Sequence, residues 1–86
     1  MKKLTLFYLA SCPYCKQAFG YFDELFGTGN YPDIELEKIE ESKEPELADQ
    51  YDYYFVPTFY YNGEKLHEGI CKKEDVERVL NEVKNA

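Results

Sequence analysis

Cys12-Pro13-Tyr14-Cys15 sets two thiols one helical turn apart. It follows the apolar run Leu4 to Leu9 and precedes an amphipathic stretch from Lys16 to Phe26, so it lies where a strand ends and a helix begins. The first backbone N–H groups of a helix have no partner within it, and the positive end of the macrodipole stabilises an anion there. A thiolate is such an anion, and thiols so placed ionise at about pH 3.5 to 7.5 instead of about 8.5. Cys12 is expected at the cap position and Pro13 at the first helical residue, where its fixed φ and missing N–H cost nothing. Cys15 then lies one turn further in, lower and more buried, and Lys16 adds a positive charge nearby. Residues of these types at this spacing suit dithiol exchange. Cys12 attacks a disulfide, and Cys15 attacks the resulting mixed disulfide and releases the reduced product.

The rest of the chain has to hold that junction in place. Leu4 to Leu9 reads as a central strand covered on both faces. Cys15, Ala18, Phe19, Phe22 and Phe26 follow helical spacing, and Gly27 and Gly29 supply the stop. Ile34 to Ile39 is a second strand. Ser42 to Tyr51 reads as a second helix with Pro45 in its first turn. Phe59 to Tyr61 is a third strand, Asn62-Gly63 a hairpin turn, and Lys65 to Glu68 a fourth strand. The last helix carries Val76, Val79, Leu80 and Val83 on one face. The order is β-α-β-α-β-β-α. A strand-helix-strand opening implies a parallel pair, and the hairpin adds an antiparallel one, so the sheet is mixed.

At 86 residues the chain is a single domain, 1–86, with no room for a second. A formal charge of −7 without a basic stripe argues against a nucleic-acid surface. Three cysteines fit a reducing compartment better than a disulfide-stapled scaffold, so a cytoplasmic location is expected. Lys2-Lys3, an apolar run and Leu9-Ala10-Ser11-Cys12 together mimic a lipoprotein signal. The apolar core is at the short limit for one, however, and cleavage before Cys12 would remove the first strand. No spare apolar stripe is visible, so a monomer is expected.

Other residues have competing readings. A structural zinc site needs four ligands, and beyond the Cys pair only Cys71 and His67 remain. A purely structural Cys12–Cys15 disulfide would close too short a loop to stabilise much. Cys71 sits at the expected cap of the last helix, either as a small buried residue or as a regulatory or glutathionylated thiol. His67 is structural or exposed. Tyr14 is expected to be exposed and to flank a bound peptide. Tyr51, Tyr53, Tyr54 and Phe55 wall a groove or fill the core, the core being the reading for Tyr51 and Phe55. The glutamates from Glu35 to Glu46 form a solvated face.

The Cys-Pro-Tyr-Cys sequence resembles the active site of the glutaredoxins, whose fold is the thioredoxin fold: α/β, a four-stranded mixed sheet with three flanking helices. Phe55-Val56-Pro57-Thr58-Phe59 is similar to that family's Val-Pro segment. The resemblance implies a cis proline at Pro57 facing the cysteines and a Val56 backbone offered to substrate. Asn62-Gly63 through Gly69 resembles the closing hairpin and glycine loop, which brings Gly69 and Cys71 to the substrate site. The implied activity is reduction of protein disulfides or glutathione mixed disulfides, with glutathione as co-substrate and no tightly bound cofactor.

Departures from the family pattern bear on the substrate. Leu9 stands where glutathione users carry a basic residue. One glycine of the usual pair before the last helix is absent, and Lys72-Lys73 replaces an acidic pair. Lys72, Lys73 or the helix end is left to receive a glutathione carboxylate. Pro45-Glu46-Leu47-Ala48 and the stretch from Pro57 to Lys65 look more like thioredoxin, so one alternative is a thioredoxin-like protein reduced by a flavoprotein reductase. An alternative of another class is an iron–sulfur or metal-binding protein. A cluster shared between two subunits occurs among glutaredoxins, and the proline within this motif counts against it.

Overall fold

The computed structural model describes residues 1–86. Its elements are β1 (Lys2–Tyr8), α1 (Pro13–Phe26), β2 (Ile34–Glu40), α2 (Pro45–Ala48), β3 (Thr58–Tyr61), β4 (Glu64–Glu68) and α3 (Lys73–Lys84). The sheet order is β2-β1-β3-β4. β1 pairs with β2 in parallel from Lys2↔Ile34 to Tyr8↔Glu40, and with β3 antiparallel through Leu6↔Phe59. The β3–β4 hairpin is antiparallel, with a register shift between Phe59 and Tyr60. This is the mixed four-stranded sheet with three helices expected of a thioredoxin fold.

Strand parity divides the core into two layers. Leu4 and Leu6 of β1, with Phe59 of β3, face α1 and α3. There they meet Ala18, Phe22, Leu25, Val76, Val79, Leu80 and Val83. Phe7 points to the other face and packs with Ile39, Ala48 and Tyr60, closed over by Leu47, Tyr51 and Tyr53. Aromatic rings fill both layers: Phe22 meets Phe59 edge-on at 5.3 Å, and Phe7 lies 4.7 Å from Tyr51.

The hairpin turn uses Asn62 at φ 52° and Gly63 at φ 80°, the pair of positive φ values that a tight two-residue turn needs to match strand twist. β1 starts at Lys2 and ends at Tyr8, because its pairing with β2 extends over the lysines, and Leu9 falls in the following turn.

The second helix is shorter than the expected span from Ser42 to Tyr51. Regular helix covers only Pro45–Ala48. Pro45 disfavours helical geometry at Glu44, and Ser42 is tied instead to the Glu40 carboxylate through its backbone N–H at 3.0 Å and its hydroxyl at 2.5 Å. Beyond Ala48 the chain tightens, with N–H groups of Gln50 and Tyr51 donating three residues back.

Phe22 is 1% exposed at the centre of the larger layer. Phe22→Ala should cost about 3–5 kcal/mol, read as a lowered urea midpoint with an unchanged slope. Lys43→Ala, on the surface, should shift the midpoint by less than about 0.5 kcal/mol equivalent.

Candidate active site

Cys12 occupies the N-cap of α1 with extended backbone, φ −84° and ψ 118°, and Pro13 is the first helical residue. A turn closed by the Cys12 N–H donating to the Leu9 carbonyl at 3.0 Å joins strand to helix. The Lys16 N–H donates to the Cys12 carbonyl at 3.3 Å, so the first helical hydrogen bond fixes the cap residue. The Lys16 side chain is exposed on that turn.

The two sulfurs sit in different surroundings. Cys12 is partly exposed, whereas Cys15 is 0% exposed. Burial pushes the Cys15 thiol up to about 12; the Cys12 and Cys71 sulfurs add to the rise and a backbone hydrogen bond from Leu9 opposes it. Cys15 therefore stays protonated at neutral pH.

Cys71 departs from its expected place. The N-cap of α3 is Lys72, whose N–H donates to the Asp75 carboxylate at 2.9 Å, and Cys71 lies one residue outside the helix. It is 4% exposed within the larger core layer. Burial first and the Asp75 charge second push its thiol up to about 11. It is the small, buried residue of the two readings.

The Val56–Pro57 peptide bond is cis. The Pro57 carbonyl accepts the Gly69 N–H at 2.8 Å, which closes the end of the β3–β4 hairpin over it. Gly69 has φ 91°, and an added Cβ would lie 3.7 Å from that of Phe55, an ordinary contact; the backbone angle is what calls for glycine.

Tyr14, Phe55, Val56, Gly69 and Ile70 together line an open, mostly apolar groove of about 340 Å³. Tyr14, Val56 and Gly69 are thus brought together, joined by Ile70, which has no distinguishing sequence signal. Two expectations are corrected here. Phe55 is 68% exposed instead of buried, because the second core layer is already closed by Tyr51 and Tyr53. With Ile70 62% exposed beside it, the surface does carry a spare apolar patch. Tyr54 also faces solvent, while Tyr51 packs on Phe7 and Tyr60.

His67 stacks on Phe59 with ring centroids 5.6 Å apart. Its Nε2 is 3.1 Å from the Ile70 carbonyl and its Nδ1 is 3.3 Å from Arg78, which makes it a strut under the groove's edge. No group of three or more His, Cys, Asp or Glu side chains is placed to hold a metal ion. No helix is long and apolar enough to cross a membrane.

Comparison with known proteins agrees with this geometry. A protein-family model described as a thioredoxin domain matches residues 2–81. Among solved structures, mitochondrial thioredoxin 3 of Saccharomyces cerevisiae is 23% identical with a TM-score of 0.74, covering 94% of this chain and 77% of its own. The germline-specific thioredoxin Deadhead of Drosophila melanogaster is 18% identical with a TM-score of 0.72, covering 93% and 78%. A malarial protein is 19% identical with a TM-score of 0.72, covering 93% of both chains. No curated protein matches the sequence.

The burial pattern sets the reactivity of the three thiols. Iodoacetamide at pH 8 should modify one cysteine in the reduced native protein, Cys12, and all three after unfolding, as read by peptide mass spectrometry. For the buried pair, raised folded-state values mean a contribution to stability that is complete below pH 9.0. It is lost as pH climbs toward about 11 for Cys71 and about 12 for Cys15. Denaturant midpoints of the reduced protein should fall across that window, and less so in Cys71→Ala relative to its own neutral-pH value.

Proposed function

The chain belongs to the thioredoxin-domain family, and from that premise we propose that it is a thiol–disulfide oxidoreductase that reduces protein disulfides through Cys12 and Cys15. The observation that carries the reading is the pairing of a partly exposed cap cysteine with a fully buried one a turn away, beside an apolar groove.

The Cys12 thiolate attacks one sulfur of the substrate disulfide, forming a Cys12–substrate disulfide and expelling the other substrate sulfur, which takes up a proton. Cys15 then attacks the Cys12 sulfur and loses its own proton as the second substrate thiol leaves protonated. The substrate has gained two electrons and two protons, and the protein is left with a Cys12–Cys15 disulfide. An external dithiol or a flavoprotein reductase restores the pair. No tightly bound cofactor is required. Tyr14, Val56 and Ile70 hold an extended peptide, with Gly69 completing the lining and the cis bond before Pro57 setting the Val56 backbone, and Pro13 and Lys16 set the helix end that favours the Cys12 anion.

Protein disulfides are preferred over glutathione on two grounds. The groove lining is apolar. Lys73 is already paired with Glu24 at 3.1 Å, and the helix-end N–H of Lys72 is taken by Asp75, so of the groups that could receive a small carboxylate only the Lys72 ammonium is left. The glutaredoxin-type reading keeps its support in the Cys-Pro-Tyr-Cys tetrad.

The test is dithiothreitol-driven reduction of insulin beside glutathione-driven release of glutathione from a modified peptide. Wild type should reduce insulin catalytically. Cys12→Ser should fall to the dithiothreitol background, and reduced Cys15→Ser, mixed with insulin after the dithiothreitol is removed, should accumulate one equivalent of mixed disulfide without releasing product. Rapid deglutathionylation that survives Cys15→Ser would replace this reading with a glutathione-dependent monothiol mechanism.

A further inference from the structure

The segment Asp52 to Val56 carries one wall of the groove yet belongs to no helix or strand. Tyr53 anchors its start, stacked on Phe7 at 5.1 Å, but past that point the side chains do not hold it, since Tyr54 is 86% exposed and Phe55 faces water. Side chains from elsewhere hold its backbone. Tyr60 Oη donates to the Asp52 carbonyl at 2.5 Å, and Thr58 Oγ1 donates to the Phe55 carbonyl. Nearest the groove the anchor is Glu68, the last residue of β4, paired across the hairpin with Thr58. One carboxylate oxygen, Oε2, accepts two successive backbone N–H groups, from Tyr54 at 2.5 Å and Phe55 at 2.9 Å. The other, Oε1, accepts Lys65 Nζ at 2.7 Å.

Two successive amides converging on one anion form a nest of the kind that elsewhere receives a bound ion. Here the chain fills it with its own carboxylate. We propose that Glu68 is a positioning residue for substrate: its carboxylate fixes the Tyr54–Phe55 backbone, so that Phe55 and Val56 stand out as a preformed wall instead of folding down onto the hairpin. The proposal rests on the groove being the protein-disulfide site proposed above. Preorganising a binding wall lowers the ordering cost of docking, so the effect belongs in substrate affinity, with sulfur exchange left alone. The same three donors, Lys65 first and then the Tyr54 and Phe55 amides, hold the Glu68 carboxyl down at about 2, which keeps the latch charged across the neutral range.

Glu68→Ala removes the acceptor, Glu68→Gln keeps one acceptor oxygen for the two amides without the charge, and Glu64→Gln on the same strand is the control. Amide exchange at Tyr54 and Phe55, followed by NMR, reports the latch directly. Steady-state reduction of insulin and of hydroxyethyl disulfide, a substrate too small to use the wall, separates docking from chemistry. Exchange at the two amides should quicken by about tenfold or more in Glu68→Ala and by less in Glu68→Gln. KM for insulin should rise by roughly tenfold in Glu68→Ala with kcat held, and be largely rescued in Glu68→Gln. Turnover of hydroxyethyl disulfide should stay at the wild-type rate in both.

Unchanged exchange, an unchanged KM for insulin, or an equal loss on both substrates would each overturn the role given to Glu68. Failure of the wild-type protein to reduce insulin would instead sink the functional reading beneath it, whatever the exchange rates report.

Discussion

A strand covered on both faces must be apolar at successive positions, and that requirement on β1 governs the rest of the molecule. Leu4 and Leu6 are completely buried against the α1–α3 layer, and Phe7 is completely buried against the other. Because β1 lies between β2 and β3, it ends inside the sheet, not at an edge. The chain leaves its carboxyl end in a tight turn at Leu9 and enters α1 with Cys12 at the cap. The start of α1, with Cys12 at its cap, is thus fixed by a central strand, and α1 is held to it by Ala18, Phe22 and Leu25.

What could be read from sequence tracks how local its physical cause is. The order of elements, the mixed sheet, the hairpin at Asn62-Gly63 and the placement of Cys12 and Pro13 follow from periodicity and from signals a few residues apart. α2 is shorter than its sequence pattern predicts because Ser42 binds the Glu40 side chain, a contact that composition does not announce. Cys71 lies one position outside α3 because Lys72, closed onto Asp75, takes the cap, and its burial comes from tertiary packing. Hydrophobicity alone points Phe55 to the core, yet it is 68% exposed. The space had been taken by Tyr51 and Tyr53, which no local pattern predicts. The Glu68 latch joins residues 13 and 14 positions apart, beyond the reach of any local rule.

Membership of the thioredoxin-domain family and the Cys-Pro-Tyr-Cys tetrad point to different relatives within one fold. They describe different parts of the chain. The tetrad is a matter of four residues at a helix start, whereas the family match spans residues 2–81. Substrate choice depends on neither directly, but on what surrounds the cysteines, and here that includes an apolar groove, with Lys73 of α3 already paired with Glu24. A peptide can bury its apolar side chains against Phe55 and Ile70, which contributes roughly 25 cal/mol per Å² removed from water. Glutathione offers little apolar surface and two carboxylates, for which Leu9 provides no counter-charge.

The order of attack proposed for the two cysteines follows from the contrast between their surroundings. Two thiolates a turn apart would repel, and burial penalises the deeper one, so the Cys15 proton is held until it is needed. In the exchange proposed above, a mixed disulfide at Cys12 removes that sulfur's upward contributions to the Cys15 thiol, while burial, the largest cause, remains. The substrate sulfur bound to Cys12 becomes a proton acceptor as the proposed second exchange proceeds. Formation of the first disulfide therefore makes the second attack easier. The buried Cys71 sulfur, which also raises Cys15, sits on the other side of this balance: a neutral Cys71 leaves the resolving step open, and its own burial keeps it neutral.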